Sequence, residues 1–124
     1  MTIDDYIESQ RPSIRSSDLR TLETFTGRLL DKLKESNAGE HPGLSEAVHM
    51  LVQVLESSSV QRTRDPLPIW MAEVGFAAAY LLKRFDLIPD HVAEIGLTDD
   101  AMIVQRVIER NRPQLDHALA QGNG

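Results

Sequence analysis

The chain has 124 residues, with 13 Lys and Arg against 19 Asp and Glu, a formal net charge of −6 and no cysteine. The missing thiols exclude disulfide staples, thiolate metal sites and thiol catalysis. The acidic balance argues against a nonspecific grip on nucleic acid, which needs a basic face to displace counterions. An apolar fraction of 41 % beside 26 % charged residues is ordinary for a globular domain.

Residues 1–15 are polar and contain Pro12, so they read as an N-terminal arm with about one helical turn near Asp4 to Ser9. The acidic start, Met1-Thr2-Ile3-Asp4-Asp5, lacks the positive flank and apolar run of a secretory leader, and a cytoplasmic location is the expectation. Ser16 or Ser17 should cap a first long helix whose apolar stripe is Leu22, Phe25, Leu29, Leu30 and Leu33. The run Asn37 to Gly43 is dense in turn formers, and a second helix follows with Leu44, Val48, Leu51, Val52 and Leu55 inward. Ser57-Ser58-Ser59 opens a polar linker that carries Arg62 and Arg64 and ends at Pro68.

A third helix, from about Pro68 to Arg84, is apolar on two faces. Trp70, Val74, Ala77, Leu81 and Phe85 form one stripe, and Ile69, Phe76 and Tyr80 form another that includes Glu73. Such a helix belongs at the centre of a bundle, because 16 residues from Leu67 to Leu82, interrupted by Pro68, Glu73 and Gly75, fall short of a membrane span. Glu73 is expected to be a buried acid paired with Arg62 or Arg64. A turn of helix at His91 to Glu94 should close at Gly96. Thr98 or Asp99 should then start a fourth helix through Ile103, Val104, Val107 and Ile108, and Pro113 a short final one, with residues 121–124 as a frayed tail. No alternating strand pattern appears. The expected architecture is all-α: one compact bundle of four to five helices over residues 16–120, with a central apolar helix and an acidic helix-turn-helix hairpin.

That hairpin concentrates the candidate site residues Asp86, Pro89, Asp90, Gly96, Asp99 and Asp100. Acids in the first turn of a helix stabilise its positive end by about 0.3–1 kcal/mol each, which is a sufficient role for Asp90 and Asp99, while Asp86 would bond the backbone of its own turn. Asp100 stands apart, since helical spacing from Ile103, Val104, Val107 and Ile108 puts it at the head of a buried stripe. A carboxylate there needs a cap, a cation, a shared proton or a metal. Asp86, Asp90, Asp99 and Asp100 together have the hard oxygens that Mg²⁺ or Ca²⁺ takes, although the spacing is not that of a calcium loop. The histidines His41, His49, His91 and His117 have no ligand spacing, and no nucleophile elbow or phosphate-cradling glycine loop is present.

Tyr80-Leu81-Leu82, Asp86-Leu87-Ile88-Pro89-Asp90 and Ile95-Gly96-Leu97-Thr98-Asp99-Asp100 together resemble the signature of the YkvA-like proteins, the DUF1232 domain of unknown function. The resemblance implies a small helical domain, found mainly in bacteria and in some members near membranes, with no established catalytic residue or cofactor. Lys83-Arg84-Phe85 replaces the usual Ser-Pro-Ile, and Ala93 replaces a common second proline. These readings converge on a non-enzymatic interaction module, acting as a homodimer or on an unknown protein partner and requiring no cofactor. A divalent-cation protein or metal-dependent enzyme built on the four aspartates is the alternative, and peripheral membrane association is a second one.

Overall fold

In a computed structural model of the chain, residues 2–35, 42–87 and 93–122 are described. Among them every regular element is a helix: α1 (Ile3–Gln10), a 3₁₀ turn (Arg11–Ser13), α2 (Ser16–Glu23), α3 (Thr26–Glu35), α4 (Pro42–Glu56), α5 (Ser58–Gln61), α6 (Ile69–Leu87), α7 (Ala93–Arg110) and α8 (Arg112–Gly122). The all-α bundle is therefore as the periodicity requires, built from shorter pieces than expected.

The extra helices have local causes. The first long helix is broken at Thr24 and Phe25, where the Thr24 hydroxyl donates to the Thr21 carbonyl at 2.6 Å and the Thr26 hydroxyl to the Glu23 carbonyl at 3.1 Å. Threonine hydroxyls compete in this way for carbonyls that a continuous helix would use. The break turns Phe25 outward, off the expected stripe, to 41 % exposure. The start of α2 is also capped from afar: the Ser16 N–H donates to Asp65 at 2.8 Å and the Ser16 hydroxyl donates to its other oxygen at 3.0 Å.

The segment read as a polar arm is part of the fold. Thr2 and Asp5 form a reciprocal capping box at 3.1 Å in each direction, which starts α1. Ile7 on that helix is fully buried, and the Tyr6 ring meets Phe76 and Tyr80 edge-on at 5.8 and 6.5 Å. Polar composition concealed this because two residues do the anchoring.

The centre is α6, where Met71 through Ala78 are buried without interruption, as an apolar helix with two covered faces must be. Gly75 belongs here for steric reasons: a Cβ at that position would lie 2.8 Å from Ile14 and 2.9 Å from Leu19, so both side chains rest on the helix backbone. α4 and α7 complete the core with Leu44, Val48, Leu51, Leu55, Val104 and Val107, and α8 adds Leu115. Trp70 is only half-buried, and Ile69, expected in a covered stripe, is 59 % exposed. No helix among the described residues is long and apolar enough to cross a membrane.

Candidate functional site

Pro89, Asp90 and His91 lie outside the described residues, as does His41. The backbones of Asp86, Gly96, Asp99 and Asp100 are helical, Asp86 in the last turn of α6 and the other three within α7. This corrects the expected local arrangement. Gly96 does not close a short helix and Thr98 is not an N-cap, because α7 runs unbroken from Ala93 to Arg110. Glycine in a helix interior costs about 1 kcal/mol, which the burial of Ile103, Val104, Val107 and Ile108 on the same helix offsets.

Contacts at the opposite end fix the register. Glu73, near the start of α6, bonds Arg110 and Asn111 at the end of α7, so the two helices run antiparallel. Both rise about 1.5 Å per residue. Moving thirteen positions from Glu73 reaches Asp86, and the same displacement back from Asn111 reaches Thr98. Asp86 and the Asp99–Asp100 pair therefore lie in the halves of α6 and α7 nearer their connection. Among the described residues, no three His, Asp or Glu side chains are grouped so that they could hold a metal ion. His49 is exposed, with its Nδ1 2.7 Å from the Ser45 carbonyl, and His117 is exposed.

Glu73 is a buried acid, at 1 % exposure, and its partners differ from the expected ones. Arg11 Nη1 donates to Oε2 at 2.6 Å, Arg110 Nε lies 3.0 Å from Oε1, and Asn111 Nδ2 donates to Oε1 at 2.9 Å. Arg62 and Arg64 are exposed and take no part. The cluster continues to the surface through α1. Arg106 grips Asp4 with two parallel bonds of 2.7 and 2.9 Å, and Arg110 reaches Asp4 and Glu8 at 3.3 Å each. The Arg106 hydrogen bonds hold the Asp4 carboxyl down at about 2. A buried carboxylate with two guanidiniums and an amide has its lone pairs occupied and no room for a ligand, so the cluster ties the 3₁₀ turn, α6 and α7 together.

A second feature was not legible in the sequence. A groove of about 480 Å³ opens between the 3₁₀ turn and the start of α6. Ile14, Leu67, Ile69 and Ala72 line it, with Arg11, Arg15 and Asp65 beside them. The exposed Ile69 side chain stands in its wall.

Comparison with known proteins bears on the helical hairpin. Residues 71–104 match the family model described as "Protein of unknown function (DUF1232)". The α6–α7 hairpin is thus similar to DUF1232 over this stretch, which is less than half of the chain. It contains Asp86, Pro89, Asp90, Gly96, Asp99 and Asp100, and it supports the family resemblance drawn from those residues. No curated protein and no solved structure matches the chain. The Glu73 end of α6 also lies inside the DUF1232 match, whereas Arg11, Asp4, Arg106 and Arg110 lie outside it.

Proposed function

We propose that this protein is a non-enzymatic interaction module that receives a segment of a partner protein in the groove between the 3₁₀ turn and α6. The observation that carries the reading is Ile69: a large apolar side chain, 59 % exposed, in the wall of a concave, mostly apolar surface. Leaving such a surface in water forgoes about 25 cal/mol for each Å² that a partner could cover, and grooves of this kind are where extended segments dock.

The test is a selection from a displayed random-peptide library on the immobilised chain, run in parallel on Ile69→Glu. Enrichment on the wild type that disappears on the variant supports the module. Equal enrichment on both, or none on either, overturns it. Sedimentation over a range of concentrations identifies the case in which the partner is a second copy.

The placement of Asp86 and the Asp99–Asp100 pair in the halves of α6 and α7 nearer their connection supports a second reading, a divalent-cation site on Asp86, Asp90, Asp99 and Asp100. Mg²⁺, Ca²⁺, Mn²⁺ or Zn²⁺ at a hundred times its dissociation constant would add about 2.7 kcal/mol, raising the melting temperature by roughly 8–13 °C. That shift should vanish in Asp86→Asn and Asp100→Asn. A chelated chain that melts identically in all four ions removes the reading.

A further inference from the structure

The charge around the groove runs against the charge of the chain. Residues 11–20 and 61–69 carry five arginines, Arg11, Arg15, Arg20, Arg62 and Arg64, against two aspartates, a local net of +3 in a chain of net −6. The two segments lie side by side. Ser16 bonds Asp65 through both its N–H and its hydroxyl, and the Gln61 amide donates to the Leu19 carbonyl at 3.0 Å.

Both aspartates are already occupied. Asp18 accepts the Arg15 N–H at 2.8 Å, and Asp65 accepts both Ser16 bonds, which together with Arg15 and Arg20 lower its pKa. Arg11 is committed to Glu73, and Arg20 donates to the Ser16 hydroxyl at 3.4 Å. Arg15, Arg62 and Arg64 remain exposed, with no ion pair among the described residues. Arg15 thus lines the apolar concavity, near enough to Asp65 to lower its pKa, and Arg62 and Arg64 stand just before its wall in the chain. Guanidinium binds carboxylate in a planar, bidentate fashion, while the concave floor takes a side chain rather than inserting one.

We propose that the segment taken by this groove is acidic: an apolar side chain seated on Ile14, Leu67, Ile69 and Ala72, flanked by Asp or Glu residues that pair with Arg15, Arg62 and Arg64. This rests on the interaction-module reading and names the chemistry of its partner. The rest of the chain is net acidic, so the patch orients the encounter as well as holding it. The concave shape favours a peptide over an anionic membrane, which needs a protruding apolar tip.

The experiment uses the full chain and two synthetic peptides, identical in a central Leu-Phe pair and flanked on both sides by Glu in one and by Lys in the other. Binding is read by fluorescence anisotropy at two salt concentrations. The acidic peptide should bind at least roughly tenfold more tightly than the basic one, weaken with salt, and lose at least roughly tenfold on the Arg15→Glu/Arg64→Glu variant. That variant changes exposed side chains only, and circular dichroism verifies its fold. Equal binding of both peptides, abolished by Ile69→Glu, overturns the acidic preference while leaving the module standing. Binding of neither peptide overturns the preference, and the library selection then decides the module separately. Binding to phosphatidylserine vesicles through the same arginines, without binding of the acidic peptide, overturns the proposal in favour of a lipid surface.

Discussion

Two sets of arginines in this protein make opposite use of the same side chain. Arg11, Arg106 and Arg110 meet Glu73, Asp4 and Glu8, acids drawn from α1 and α6, in bonds of 2.6–3.3 Å. Arg15, on the groove wall near Asp65, and Arg62 and Arg64, on the segment that leads into it, make no ion pair among the described residues. The first set is consumed in holding α1 and the 3₁₀ turn onto the α6–α7 hairpin. The second contributes little to folding, because exposed charges on long side chains are screened by water and salt. A chain with 19 acids could have paired them internally, and their isolation beside an apolar groove is what makes them available to another molecule.

Substitutions that break this contrast should produce graded effects. The largest is Glu73→Ala, which leaves Arg110 and Asn111 partly buried without their acceptor and should cost about 3–5 kcal/mol in a denaturant titration. Next is Gly75→Val, whose added side chain meets Ile14 and Leu19 and should cost about 1–3 kcal/mol through overpacking.

Asp4→Asn should give a smaller, pH-dependent loss. The folded Asp4 carboxyl sits at about 2 instead of 3.8, so its contribution is complete above about pH 4 and is lost as the pH falls towards 2. The gap in melting temperature between wild type and Asp4→Asn should therefore be constant from neutrality to about pH 4 and narrow below it. The smallest effect belongs to the other set: Arg15→Glu with Arg64→Glu should move stability by no more than about 0.5 kcal/mol per site. A loss comparable to that of Glu73→Ala would show that these arginines serve the fold and would erase the distinction.

The periodic helices were legible because burial acts on neighbours three and four residues apart: Leu44 to Leu55, Val74 to Leu81 and Val104 to Ile108 are inward as their spacing required. The family resemblance was equally local, carried by residues within one stretch. Partners distant in sequence were not legible. That Glu73 would be buried followed from its stripe. That its cations would be Arg11, 62 positions away, and Arg110, rather than the nearby Arg62 and Arg64, did not. The break at Thr24 is local, made by the Thr24 and Thr26 hydroxyls, whereas the unbroken course of α7 through Gly96 and Thr98 and the integration of α1 were missed for the same long-range reason. In both of these, a local preference competed with packing that only the assembled bundle supplies.

The sequence by itself therefore determined that the chain is helical, which helix is central, that Glu73 is inside and that residues from Tyr80 to Asp100 carry the one recognisable motif. The tertiary structure alone decided which arginines neutralise Glu73, that Ile69 faces water, and that residues 11–20 and 61–69 come together as a basic surface. Helical periodicity records only whether a residue faces in or out, whereas ion pairs and grooves depend on which elements meet, and that is settled by the closing of the bundle.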